Sequence, residues 1–287
     1  MKKWSLILFL LMIIPFSVFA QIDVKSMSDE ELRSAKNMIE KELTAREHQK
    51  MENSTDRVMI PLDNLDFEAN DDFTEVTITG FHNDYNLFRD KIIEIPSEIQ
   101  ELPVTKILNR LSNQSIFKYT NAKGVYIPDS VKVIGAYAFS GSRIKKIRLP
   151  NGLEKIGDYA FYDSDLESIE LPDSLTWIGE YAFASTNIRT LLLQTNLQYI
   201  GSKAFVLCNE LETVEIPNNF ICESNMKCFL TDIIDGTKLR KDFAFMKRLK
   251  GIELKPRYAE SDGNDDWLKW IQDVPLQTKD FRDSTSF

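Results

Sequence analysis

"LPNGLEKIGDYAFYDSDLESIELP", residues 149 to 172, closes on the same Leu-Pro with which it opens. Aligning the neighbouring sequence on it shows that the return is periodic. Pro128, Pro150 and Pro172 lie 22 residues apart, and Gln194 fills the next slot before Pro217. Gly135, Gly157, Gly179 and Gly201 keep the interval, as do Ala138-Phe139, Ala160-Phe161, Ala182-Phe183 and Ala204-Phe205. A fixed period of this length marks a solenoid, whose coils bury their apolar faces only against one another.

Each coil divides into parts with separate physics. In "RIKKIRLP", "DLESIELP", "NIRTLLLQ" and "ELETVEIP" the apolar residues fall at the second, fifth and seventh places. The last two alternate with polar positions, as in a half-buried strand. Proline then removes a backbone donor and ends the strand. The glycine after Ile134, Ile156, Ile178 and Ile200 is expected to turn the chain at positive φ, which a side chain would oppose. The Ala-Phe pair sets a small residue where backbones approach and a large one in the core. Successive strands share one direction, so the sheet is parallel, with strands about 4.8 Å apart.

The pattern weakens at both flanks. Upstream, "RDKIIEIP" and "NAKGVYIP" read as strands ending 32 residues apart, without the Ile-Gly and Ala-Phe signals between them. Downstream, "DFAFMKRLKGIELKP" recovers Ala244-Phe245 and a strand from Ile252 to Leu254. Before it lies an insertion, residues 218–236, holding Cys222 and Cys228. Solenoids accept such insertions as loops and often bind through them.

The succession of Ile-Pro, Ile-Gly, Ala-Phe and a strand ending in Leu-Pro resembles the BspA-like leucine-rich repeats of bacterial surface and secreted proteins. "VTITGF" followed by "IEIPSEIQELPVTKI" resembles the opening repeat of that family, and the likeness covers roughly residues 74 to 256. The fold class expected is an α/β-type solenoid, a right-handed leucine-rich repeat coil with a parallel sheet of about six to seven short strands. An N-terminal amphipathic helix and a C-terminal capping helix are expected to flank it. The resemblance implies adhesion to host proteins or other cells and carries over no catalytic residue.

Around the repeats, Lys2 and Lys3 precede an apolar run, Trp4 to Phe19, that exits through Val18-Phe19-Ala20. This reads as a secretory signal peptide over residues 1–20, with a membrane anchor as the alternative. Residues 21–57 read as a helix and linker, 58–256 as the repeat domain and 257–287 as a cap and tail. Ser28 with Glu31 forms a capping box. Leu32, Ala35, Met38, Ile39 and Leu43 then make one apolar stripe, suited to a surface helix or a short coiled coil. At the other end, Trp267, Leu268, Trp270, Ile271 and Val274 fit an amphipathic helix closing the open end of the solenoid.

Charge and composition exclude several functions. The formal net charge is −9, and −11 once Lys2 and Lys3 leave with the signal peptide, which argues against nucleic acid or an anionic membrane as partner. Cys208, Cys222 and Cys228 remain, permitting one disulfide, most simply Cys222 with Cys228. His48 and His82 are the only histidines, and neither a Gly-rich phosphate loop nor an HExxH motif occurs. No cofactor or metal is implied, and the one enzymatic alternative is a carboxylate-only site among the 44 acidic residues.

What the repeat offers is a face. One outward column reads Lys91, Lys123, Lys145, Glu167, Arg189, Glu212 and Lys250; a second reads Glu94, Tyr126, Arg148, Glu170, Leu192, Glu215 and Glu253. From Lys145 onward the first alternates in sign, which suits either a salt ladder or a mixed-charge platform for a protein partner. Tyr126, Arg148 and Leu192 are its residues of hot-spot type. The sequence therefore points to an exported, non-catalytic protein-interaction module, adhesin-like or, alternatively, a periplasmic scaffold.

Overall fold

The computed structural model describes residues 51–82, 88–109, 115–118 and 120–216, with single positions between 28 and 50. The signal segment, the insertion with Cys222 and Cys228, Lys250, Glu253 and the expected C-terminal cap lie outside the described residues. The chain divides into two compact units, Met1–Thr55 and Asp56–Phe287.

In the first unit Glu31, Ala35, Met38, Glu42, Ala45, Arg46 and residues 49–52 are helical. The capping box forms: the Ser28 amide and hydroxyl donate to Glu31 Oε2 at 2.7 and 2.8 Å, and the Glu31 amide donates to Ser28 Oγ at 3.2 Å. These bonds hold the Glu31 carboxyl below its usual pKa. Met51 is buried and Glu52 still helical, so "MENSTDR", residues 51–57, expected to be the linker, begins inside the helix.

The second unit runs β1 (Arg57–Met59), β2 (Leu65–Ala69), β3 (Val76–Phe81), β4 (Ile92–Glu94), β5 (Glu98–Ile99), β6 (Leu102–Ile107) and β7 (Gly124–Tyr126). It continues with β8 (Val133–Ile134), β9 (Lys146–Arg148), β10 (Lys155–Ile156), β11 (Trp177–Ile178), β12 (Thr190–Leu192), β13 (Tyr199–Ile200) and β14 (Thr213–Glu215). The expected parallel ladder is β1-β4-β7-β9, followed by the single bridge Lys146↔Ser168 and the pair β12-β14. "DLESIELP", expected to be a full strand, contributes that bridge alone.

A second sheet stands where the sequence suggested only turns. Strands β8, β10, β11 and β13 pair in parallel through the residues just before the repeating glycines, and β6 joins them through Lys106 and Ile107. At its N-terminal side the sheet continues through β3 to the antiparallel β2. The regular coils therefore pair at two places, although at Ser168 the first of them is reduced to a single bridge.

This arrangement corrects the role of the glycines. The amides of Gly157, Gly179 and Gly201 donate to Ile134, Ile156 and Ile178 oxygens, each at 2.8 Å, and none of the three has a positive φ. Their reason is close approach: a Cβ on Gly201 would lie 2.4 Å from the Glu180 nitrogen. The left-handed residue comes two places later, at Tyr137, Tyr159, Tyr181 and Lys203, with φ between 51° and 57°. The three tyrosine rings stack at 4.9 and 4.8 Å, and Lys203 Nζ lies 5.4 Å from the Tyr181 ring centre.

The Ala-Phe pairs behave as expected. Phe139, Phe161, Phe183 and Phe205 are buried and stack at 5.1 to 5.2 Å. The coil that lacks the sequence signals shares this core. Phe117 stacks on Phe139 at 4.6 Å and Ile107 pairs with Ile134, so Ile116-Phe117 fills the Ala-Phe place. Apolar bulk suffices there, because burial does not require the same residue.

Candidate protein-interaction face

Part of the second expected column is in register. Met59, Glu94, Tyr126 and Arg148 are direct partners across β1, β4, β7 and β9, and Leu192 pairs with Glu215 across β12 and β14. Glu94, Tyr126, Glu170, Leu192 and Glu215 are each half-buried. The column mixes an aromatic ring, an aliphatic chain and carboxylates, as protein-binding surfaces do.

Arg148 departs from its expected exposure. It is only 6% exposed; its guanidinium donates to both oxygens of Asp129, at 2.7 and 3.1 Å, and to the Ile127 carbonyl at 3.0 Å. Asp129 Oδ1 also accepts the Asn151 amide at 3.0 Å. The Arg148 hydrogen bonds hold the Asp129 carboxyl below its usual pKa, against the opposing effect of burial. Arg148 is thus committed inside the fold, and its contribution to the face is indirect.

Part of that contribution is the position of Tyr126. The Arg148 guanidinium carbon lies 5.0 Å from the Tyr126 ring centre, and that of Arg57, from β1, lies 4.6 Å from it. Arg57 in turn pairs with Glu94 at 2.8 Å. Two guanidinium groups from strands on either side of β7 therefore flank one ring, each attracted by its quadrupole. Sequence reading missed Arg57, which lay in the stretch taken for a linker.

The first expected column runs one residue ahead of the strands. Backbone bonds link it coil to coil, from the Lys123 amide to Lys91 O, Glu167 to Lys145 O, Arg189 to Glu167 O and Glu212 to Arg189 O, at 2.7 to 3.3 Å. Lys145 Nζ meets Glu167 Oε1 at 2.7 Å, which raises the lysine pKa. Lys145, Arg189 and Glu212 are exposed. Side chains alternate along a strand, so the residues beside the Tyr126 column are Lys146, Ser168 and Thr190 rather than Lys145, Glu167 and Arg189. The expected pairing of columns three residues apart combined the strand face with the edge that leads into it.

Among the described residues, no group of three or more His, Cys, Asp or Glu is placed to hold a metal ion. His82 Nε2 lies 3.1 Å from Asp66 Oδ1 on the exposed surface. Cys208 is a free, buried thiol whose pKa burial raises, and its sulfur lies 3.2 Å from the Phe183 carbonyl oxygen. No helix among the described residues is long and apolar enough to cross a membrane.

Residues 112–231 match the model of the BspA type leucine rich repeat region in six copies. The fold is similar to that of a leucine-rich repeat protein of T. pallidum, 27% identical, over 57% of this chain and 81% of that one, with a TM-score of 0.50. It is also similar to a leucine-rich repeat protein from Bacteroides ovatus, 24% identical, over 56% of this chain and 41% of that one, with a TM-score of 0.45. No curated protein matches the chain.

Proposed function

We propose that this chain, whose residues 112–231 are a BspA type leucine rich repeat region, is an exported, non-catalytic module that binds a host or matrix protein through its strand face. Leucine-rich repeat regions are generally protein-interaction modules, and their stacked strands form extended binding surfaces. One observation carries the choice of face. Tyr126 is held between Arg57 and Arg148 in a register-matched run from Met59 to Arg148, and Leu192 and Glu215 pair in the same way further along the coils. An aromatic ring with restricted freedom, set among mixed charges, is the composition of a binding hot spot. Lys145, Glu167, Arg189 and Glu212 form its charged rim, where complementary charge guides association.

The test uses the secretion-competent full chain against a panel of immobilised extracellular-matrix proteins. Saturable binding that falls at least tenfold in Tyr126→Ala and Leu192→Asp, with unchanged thermal unfolding, supports the reading. Binding indifferent to both, or absent from the whole panel, overturns it. Cell fractionation decides the compartment: protein confined to the periplasm removes the adhesin reading and favours a scaffold for another bacterial protein. Met38, 72% exposed on the N-terminal helix, is the observation that favours this second reading.

A further inference from the structure

Phe73 is the most exposed large apolar side chain among the described residues, 73% accessible, and its backbone is left-handed at φ 52°. Both properties oppose its presence. The left-handed region favours Gly or Asn, and an exposed ring in a turn contributes no burial. The left-handed tyrosines of the coils differ, because their rings stack on one another. Among the described residues Phe73 has no ring partner. Leu207 is also left-handed and exposed, but the coil that follows it lies outside the described residues.

The turn that carries Phe73 is closely held. It joins β2 to β3, and Asn70 organises it. Asn70 Oδ1 accepts the amides of Thr74 and Glu75 at 2.8 and 3.1 Å, and its Nδ2 donates to Thr74 Oγ1 at 2.9 Å. The Asn70 amide donates to Glu75 O and the Phe73 amide to Asn70 O, both at 3.0 Å. The ring is thus presented from a fixed backbone, so docking it orders little that is not already ordered.

The surroundings state the chemistry of the partner. The hairpin, residues 65–81, contains Asp66, Glu68, Asp71, Asp72 and Glu75 and no lysine or arginine. Glu75 is bonded to Lys106 and Thr105, and Asp66 to His82, while Asp71 and Asp72 are exposed beside Phe73. We propose that this tip inserts Phe73 into an apolar pocket rimmed by basic side chains on a partner protein, at a second site separate from the strand face. A cationic rim is favoured because it meets Asp71 and Asp72, and it disfavours a second copy of this acidic tip in the same pocket.

The test places a photoreactive benzoylphenylalanine at position 73 of the full chain and, as a control, at Leu62, 47% exposed before β2. Each is irradiated with extracellular-matrix proteins and with a bacterial envelope fraction, and the linked peptides are sequenced. The expected result is a defined adduct from position 73 only, to a segment carrying Lys or Arg beside apolar residues. The double variant Asp71→Lys, Asp72→Lys should lower its yield at least tenfold. Unlabelled wild-type chain should compete, and Phe73→Asn should not, while its melting temperature stays equal or rises because Asn suits the left-handed turn. Adducts equal at both positions, linked to a second copy, insensitive to the charge reversal, or absent from both fractions overturn the proposal, as does Phe73→Asn competing like wild type.

Discussion

Arg148 and Asp129, 19 residues apart, form a two-pronged ion pair at 2.7 and 3.1 Å in which the arginine is 6% exposed and the aspartate side chain 57% exposed. Removing the aspartate would take both carboxylate contacts from an enclosed guanidinium. A fully buried pair broken this way loses about 3 to 5 kcal/mol, and the solvent around Asp129 reduces that to about 1 to 3 kcal/mol for Asp129→Ala. Urea unfolding at neutral pH measures it, and a loss under about 0.5 kcal/mol, the level of an ordinary surface change, would contradict the clamp.

The same pair sets a pH dependence. Arg148 depresses the folded-state pKa of Asp129, so its stabilisation is present above the unfolded value of about 4 and is lost as pH falls through the lower folded value. Wild type should therefore lose more stability than Asp129→Asn between pH 5 and the acid limb below about pH 4. Equal acid sensitivity of the two chains would exclude this contribution.

Gly179 and Gly152 should respond oppositely to alanine. A Cβ on Gly179 meets the Asp158 nitrogen at 2.5 Å and the Gly157 carbonyl carbon at 2.6 Å, both backbone atoms unable to move without parting the coils. Gly179→Ala is expected to destabilise by about 1 to 3 kcal/mol, as overpacking does. At Gly152 the nearest atom is the Asp129 carbonyl oxygen at 3.5 Å, an ordinary contact, and φ is not positive. Gly152→Ala should be neutral or stabilising by up to about 1 kcal/mol through the unfolded chain. Denaturation midpoints at constant slope decide both.

Phe161 lies between Phe139 and Phe183 in the buried ladder, with ring centres 5.2 and 5.1 Å away. Phe161→Ala should remove about 3 to 5 kcal/mol, since stacked coils leave the cavity little room to collapse. Nearest-neighbour coupling also predicts that Phe161→Ala combined with Phe183→Ala departs from additivity. A double-mutant cycle tests this, and additive losses would mean that the coils are stabilised independently.

A buried column of small polar residues, Thr120, Ser142, Ser164, Thr186 and Cys208, repeats once per coil. The Thr186 hydroxyl donates to Phe183 O at 2.8 Å, whereas the Ser142 and Ser164 hydroxyls have no partner. Thr186→Val should cost about 0.5 to 1.5 kcal/mol, and Ser142→Ala and Ser164→Ala should be neutral or stabilising. Calorimetry that ranked the serines above the threonine would show that hydroxyl bonding is not what distinguishes them.

The sequence by itself determined the coil, its length and its core. Ala138-Phe139 and its successors recur because every coil meets the same neighbour in the same way, and burial demands bulk at the same place each time. For that reason the register of Glu94, Tyr126 and Arg148, and of Leu192 with Glu215, was legible. The second sheet was not, because Val133-Ile134 and its counterparts are two-residue strands, too short for any alternation to show. Gly157 likewise reads the same whether glycine serves a positive φ or a close approach, and only the neighbouring backbone distinguishes them. The tertiary structure alone decided that Arg148 turns to Asp129, that Arg57 reaches Tyr126 from two strands away, and that Phe73 stays in solvent. Each outcome depends on which groups the stacked coils bring within a few ångströms, and that is a property of the fold.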